Sequence, residues 1–524
     1  MIVCLVNRHD CQWQLKQRSN NEDVDTYNAK DQDLSRSIMT TVKKSLAISI
    51  FEKYSITLIQ LISSMIIARL LTPTEIGVFS VGVLIIGFAH MLRDFGISNY
   101  IIQEKNLTKD KIKSANLLTT LLAWSCALVL YSIATPLAKF YNEPGVQSVI
   151  NVVIISFIAI PFSSVIFSLL RREMKFKVLF WINILSTLAN SVTGVVLAYL
   201  GYGYMSLAWA VVAGTATTLI LALILRPKNA YLLPSTKEFR AVFSYGTKSS
   251  IASIAIELGQ NSPELIIGRT MNFESVGIFS RAMGLASLFN KLIMSGVQSV
   301  ALPFFAKANR EATGIEEPSS RSITYLLSLA WPFYAFMAIY AEELITILYG
   351  NQWLASVDIA KLLCLVFSIR IVPSIISWIM ISTGQVHENM VGRLIWELSA
   401  LAFVIPASFY GLEAVGIALV CSNLIGYIIF LRHAIKNKIL SHKKHFYIIK
   451  SNILLTIPLF IIALLIRSIF IKLQINIFTN FIFGSLLYLF VWISLIFIMK
   501  HPFHVEIKQQ LNSLTTGWRR EKNV

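Results

Sequence analysis

Uninterrupted apolar runs constrain the fold of this 524-residue chain more than any other feature. Stretches such as "NILLTIPLFIIALLI" and "SVINVVIISFIAIPFSSVIF" contain no charged residue. A run of about 20 such residues crosses a bilayer as one helix, because a helix satisfies its own backbone hydrogen bonds where no water can. The runs recur along most of the chain, and most have no polar face, which excludes a soluble globule. Only 14% of residues are charged, against about 25% in average soluble domains. The spacing predicts an all-α polytopic membrane protein with about 14 transmembrane helices, the first near 46–71 and the last near 475–499.

The formal net charge of +18 could suggest a nucleic-acid partner. Its placement argues otherwise. Lys and Arg cluster in alternate loops, at 105–113, 171–177, 226–240, 307–321 and 432–444, with 384–393 contributing Arg393 alone, whereas the opposite loops carry little (Arg69, Lys139, Arg269, Arg467 and Lys472) and "GYGY", "YGNQW" and "YGLEA" carry none. That alternation is the orientation signal of membrane proteins and predicts both termini in the cytoplasm. Residues 1–40 are polar and read as a disordered leader, with Met39 a natural alternative start before "TTVKKSLAISIF". The leader does not resemble a cleavable signal peptide. The five cysteines are scattered without metal spacing. "GTKSS" at 246–250 lacks the order of a phosphate-binding loop, and "VHEN" lacks the second His of a zinc-protease helix. No catalytic residue, cofactor or metal is therefore expected.

The chain also repeats itself. "ARLLTPTEIGVFS" at 68–80 aligns without a gap with "GRTMNFESVGIFS" at 268–280, pairing Arg69 with Arg269, Gly77 with Gly277, Phe79 with Phe279 and Ser80 with Ser280. Upstream, Gln60 meets Gln260. An even number of spans separates the copies, so both have the same orientation, a parallel repeat about an axis along the membrane normal. The expected organisation is a leader (1–40), a first lobe (41–225), a cytoplasmic linker (226–245), a second lobe (246–435), two extra helices (450–499) and a cytoplasmic tail (500–524).

With "LRDFGISNYIIQ" and "LYGNQWLAS", the repeat motifs resemble the Wzx-type polysaccharide flippases of the multidrug/oligosaccharidyl-lipid/polysaccharide superfamily, with the colanic-acid and O-antigen exporters as the nearest likeness. The resemblance covers roughly residues 40 to 435. It implies two six-helix lobes around a cavity lined by the first helix of each lobe. It also implies a polyprenyl-pyrophosphate-linked oligosaccharide as substrate. The long leader departs from that pattern.

Polar residues inside the spans are the candidate site. Glu257, Gln260, Asn261 and Glu264 fall at helical spacing on the seventh span. The first span carries Lys53 and Gln60 on a comparable face. Membrane-buried charge is costly and marks function or pairing. Arg370, one turn before Pro373, must meet water, an anion or a carboxylate. It reads equally as a phosphate contact or as the partner of Glu257 or Glu397. Arg281 is a further candidate, Glu257 a possible ion-coupling site, and Arg393 with Glu397 a helix-stabilising pair. Arg69 and Arg269 sit at outer helix ends beside short loops, where the expected role is snorkelling to the interface, though their repeat pairing suggests that they help fix a gate. The resulting expectation is a bacterial inner-membrane flippase working by alternating access in surface polysaccharide synthesis. Its partners would be lipid-linked oligosaccharide, membrane lipids and polymerase or export proteins. The alternatives are a membrane-embedded glycan polymerase or glycosyltransferase, disfavoured by the short outer loops, and a small-molecule extruder of the same superfamily.

Overall fold

The computed structural model describes residues 25–94, 96–231, 233–239, 243, 259–311, 314–474, 476–506, 508 and 509. The first lobe contains α1 (Asp25–Leu70), α2 (Pro73–Asp94) and its short continuation α3 (Ile97–Gln103). It continues through α4 (Lys109–Tyr141), α5 (Pro144–Val153), α6 (Ile155–Arg172), α7 (Phe176–Tyr199) and α8 (Met205–Ile224). The second lobe begins with α9 (259–270). Then come α10 (Phe273–Ala286), a π-helical turn (Asn290–Met294), α11 (Ser295–Arg310), α12 (Glu316–Ile339) and α13 (Ala341–Leu348). It closes with α14 (Ser356–Ser382), α15 (Val386–Ala407) and α16 (Leu412–Lys436), and α17 (His442–Lys472) and α18 (Ile477–Ile498) follow. Among the described residues, twelve helices are long and apolar enough to cross a membrane, or thirteen if the pair Phe273–Ala286 and Asn290–Arg310, bent by 45°, is one span. The expected seventh span is described only from residue 259.

Helix α1 shows how sequence sets an element's length. No Gly or Pro occurs between Asp25 and Thr72, so nothing breaks the helix until Pro73. The backbone is accordingly helical from Asp25, and part of the segment read as a disordered leader enters the first helix. Residues 1–24 lie outside the described residues. The next helix starts with a capping box. The Thr72 N–H and hydroxyl both donate to Glu75 Oε2, at 2.8 and 2.9 Å, and Thr72 Oγ1 accepts from the Glu75 N–H at 3.3 Å. Its repeat partner Asn272 caps α10 by accepting from the Ser275 N–H at 2.8 Å.

The repeat found in sequence is also a repeat of packing. Helix α7 lies along α8 as α15 lies along α16, and α6 meets α8 as α14 meets α16. Likewise α2 meets α5 as α10 meets α14. The lobes join where α2 crosses α10. A Cβ on Gly77 would stand 1.8 Å from the Phe273 carbonyl oxygen, and one on Gly277 would stand 2.0 Å from that of Pro73. Only glycine permits this approach. Ser80 Oγ donates to Ser280 Oγ at 3.3 Å. Residues matched by the sequence repeat thus touch one another, which places the pseudo-two-fold axis at this crossing.

At the end of the bundle carrying the 71–72 and 349–355 turns, the last carbonyls of α1 lack partners within their own helix. The second lobe supplies them. Trp353 Nε1 donates to the Ala68 carbonyl at 2.7 Å, and Gln352 Nε2 donates to the carbonyls of Ala68 and Leu71. Arg69 donates to the Ile347 carbonyl at 2.7 Å, while Arg269 lies 4.9 Å over the Phe140 ring. Each of the two matched arginines therefore reaches across to the other lobe.

The extra helices are fixed to the second lobe by an ion cluster and by a proline. Arg467 of α17 bonds Glu343 at 2.6 Å and Glu342 at 2.8 Å, and Asn480 of α18 donates to Glu343 at 3.3 Å. Pro332 has no N–H, so the Ser328 carbonyl one turn earlier loses its helical donor. Trp492 Nε1 takes that place at 3.2 Å, and the Tyr488 hydroxyl donates to the Pro332 carbonyl at 2.7 Å. At the opposite, basic end, Lys111 bonds Glu104 at 2.9 Å and holds its carboxyl below the usual value. Arg172 caps α3 by donating to the carbonyls of Ile101 and Glu104, each at 2.7 Å.

Candidate functional site

A cavity of about 300 Å³ opens inside the second lobe, lined among others by Gln260, Asn290, Gln298, Tyr334, Arg370, Ser374, Ser377 and Arg393. Five elements contribute: α9, the π-helical turn with α11, α12, α14 and α15. Arg370 enters from α14 one turn before Pro373. Its guanidinium lies 5.0 Å over the Trp396 ring and reaches Glu397 Oε1 at 3.4 Å. That distance is longer than the 2.7–2.9 Å of a tight charge-assisted bond. The pair is also lopsided: Glu397 is 6% exposed and Arg370 25%. Arg370 is thus half of an ion pair with Glu397 and also a cavity wall.

Arg393 sits one turn before Glu397 on α15, and its charge acts on the same group. The pair read from sequence as helix support belongs to a cluster of two guanidiniums and one carboxylate. Among the described residues lining the cavity there are two arginines and no Asp or Glu, while Glu397 lies behind them. Among the described residues the cluster therefore carries an excess positive charge. Guanidinium forks bind carboxylate and phosphate oxygens in pairs of parallel hydrogen bonds, so the arrangement suits an oxyanion. Around it, Asn290, Gln298, Ser374 and Gln260 offer neutral donors and acceptors.

The other sequence candidates divide. Gln260 lines the cavity, and Asn261 is half-buried on the adjacent face of α9. Glu257 lies outside the described residues. Arg281 is not with Arg370. It donates to Ser64 Oγ across the lobes at 2.8 Å and stands over the rings of Tyr349 and Trp353 at 5.5 and 5.4 Å. Lys53 likewise crosses between lobes to Ser295 Oγ, beside the bond from the Tyr54 hydroxyl to the Leu292 carbonyl at 2.8 Å. Gln60 is exposed and contributes nothing to this cavity. His90 stacks on Phe157 at 4.5 Å. Sequence reasoning missed Asn290, Gln298 and Tyr334. The signal for Asn290 was weak, because the π-helical turn on which it sits shifts the face that a regular helix would present.

Comparison with known proteins identifies the fold and the family. The fold is that of the multidrug/oligosaccharidyl-lipid/polysaccharide transporters. A structure of the lipid II flippase MurJ in an inward closed conformation superposes with a TM-score of 0.69 at 13% identity, covering 88% of this chain and 99% of that one. An inward-facing multidrug transporter of the MATE family gives 0.59 at 15% identity, covering 74% and 98%. The chain is thus a multi-pass membrane protein of a transporter fold. The family described as "Polysaccharide biosynthesis protein" matches residues 66–358, and the chain belongs to it. Among curated relatives, the teichuronic acid biosynthesis protein TuaB of Bacillus subtilis is 23% identical over 346 residues, 63% of this chain and 69% of the relative. The lipopolysaccharide biosynthesis protein WzxC of Escherichia coli is 20% identical over 462 residues, 86% and 92% respectively.

Proposed function

We propose that the protein is a flippase that moves a polyprenyl-pyrophosphate-linked oligosaccharide across the bacterial inner membrane by alternating access. The observation that carries this reading is the paired Arg370 and Arg393 in a polar cavity within a transporter fold. Two guanidiniums against one buried carboxylate leave charge for an anionic head, and the neutral amides and hydroxyls suit sugar hydroxyls. Membership of a polysaccharide biosynthesis family supports the glycan part. The alternation of basic loops supports cytoplasmic termini. In that orientation the end joined by Arg69, Gln352 and Trp353 is the outer one, and the head loads from the cytoplasmic side. An inside-negative potential would favour outward movement of an anion, by about 2.3 kcal/mol per charge per 100 mV. Exchange against protons or sodium, with Glu257 as the coupling group, is the other energy source.

The test is reconstitution into liposomes with a fluorescent polyprenyl-pyrophosphate oligosaccharide. Protein-dependent redistribution between leaflets, with the lipid chemically unchanged, is the expected result. No redistribution, or formation of a new glycosidic bond, would overturn the reading, and the second outcome would indicate a polymerase or glycosyltransferase.

A further inference from the structure

Tyr334 of α12 is a shared wall. On one side it lines the arginine cavity of about 300 Å³, and on the other an apolar groove of about 530 Å³ bounded by α12, α14, α16 and α17. Its ring is held by Phe289, at the entry to the π-helical turn (5.5 Å), and by Phe367 (6.2 Å), which lies one turn before Arg370. The residue is 3% exposed, and among the described residues its buried hydroxyl has no hydrogen-bond partner.

A buried hydroxyl without a partner costs stability, and phenylalanine would fill the same space without that cost. The charged groups beside it do not resolve the deficit, because a guanidinium has only donors and cannot accept the phenolic proton. None of the cavity's acceptors among the described residues bonds the phenolic proton, and an arriving oxyanion would supply one.

We propose that Tyr334 is a positioning residue of the transport site, whose hydroxyl donates to a phosphate oxygen of the lipid-linked substrate alongside Arg370 and Arg393. The proposal rests on the flippase reading and names a third donor in it. It separates two effects that a purely structural tyrosine would join. Tyr334→Phe removes the unsatisfied hydroxyl and keeps the packed ring, so the free protein should melt at the same or a higher temperature. Binding of the phosphate head should nevertheless weaken.

The experiment uses the full chain in lipid nanodiscs, with a polyprenyl pyrophosphate and the matching uncharged polyprenol as probes. Tyr334→Phe should weaken polyprenyl pyrophosphate binding about tenfold, equivalent to about 1.4 kcal/mol, and leave polyprenol binding unchanged. Wild-type binding with equal affinity in Tyr334→Phe would overturn the role of the hydroxyl and leave the flippase reading standing. A matching loss for both probes would also overturn it, showing that the ring shapes the cavity rather than holding the phosphate. Failure of the wild-type protein to bind polyprenyl pyrophosphate at all would overturn the flippase reading and this inference with it.

Discussion

The two lobes share their packing and differ in their charge. Each has an interior proline in its fourth span, Pro161 in α6 and Pro373 in α14. Three residues before Pro373 stands Arg370, and three before Pro161 stands Ile158. Aligned on the turns that open α7 and α15, Arg393 corresponds to Asn183. Asn183 donates to Glu52 Oε1 at 2.6 Å, so the first lobe presents a carboxylate held by an amide. The second presents two guanidiniums around a carboxylate. What stayed alike is the architecture, fixed by glycines and serines at the crossing of α2 and α10. What diverged is the polar content of one half. Such a division fits a scaffold that must rock as a symmetric pair while holding its cargo asymmetrically.

The largest effect should come from freezing the symmetric part. Ser80 and Ser280 are close enough for a disulfide between cysteines at the two positions. The double variant Ser80→Cys with Ser280→Cys should lose transport completely under oxidation and regain it with reductant. Unchanged transport in the crosslinked protein would mean that the lobes do not part at this crossing.

Next in size is Arg370→Ala, which should lower glycan export at least tenfold at normal membrane levels, with Arg370→Lys retaining part of it. The corresponding first-lobe change, Ile158→Ala, should leave export near wild type. Similar losses from both would erase the functional asymmetry of the lobes.

The matched glycines give a sharper test of symmetry. Gly77→Ala and Gly277→Ala each place a Cβ against a facing carbonyl, an overpacking worth about 1–3 kcal/mol. The two should shift thermal melting by similar amounts. A large effect from one and none from the other would show that the crossing is symmetric in sequence only.

The smallest effect concerns the basic end. Lys111 holds the Glu104 carboxyl below its usual value of about 4.5, so that contact is complete above this pH and is lost as pH falls through the lowered value. Glu104→Gln should therefore lower the melting temperature slightly between pH 6 and 8, and the difference should fade on the acid side as the carboxyl protonates. A difference that appears only in acid and is absent at pH 7 to 8 would have the wrong sign.

Much of the architecture was legible because apolar runs and turn chemistry are local signals. "TPTE" forms a capping box in the fold, and the gap-free match of Gly77 with Gly277 revealed the repeat, while their contact between the lobes is seen only in the structure. The site was legible only in part. Arg370 stood out because an arginine inside an apolar run must have a partner. Which partner it has depends on how α14 meets α15, and no spacing rule gives the distance between helices. Arg281 and Arg370 look equivalent as isolated membrane arginines. One belongs to the contact between lobes and the other to the cavity, a difference made by the aromatic turn at 349–353. Asn290 was hidden by the π-helical turn that re-aims it.

The most direct measurement is a double-mutant cycle on Arg370 and Glu397, read as the initial rate of lipid-linked glycan transport at matched protein levels. If Arg370 holds the substrate anion, Arg370→Ala should lose transport and Glu397→Ala should lose much less. The double variant should then be as poor as Arg370→Ala alone. If Arg370 serves only to neutralise Glu397, the double variant should recover most of the rate, because the two residues would then act as one coupled unit. Such recovery would contradict anion binding by the second lobe.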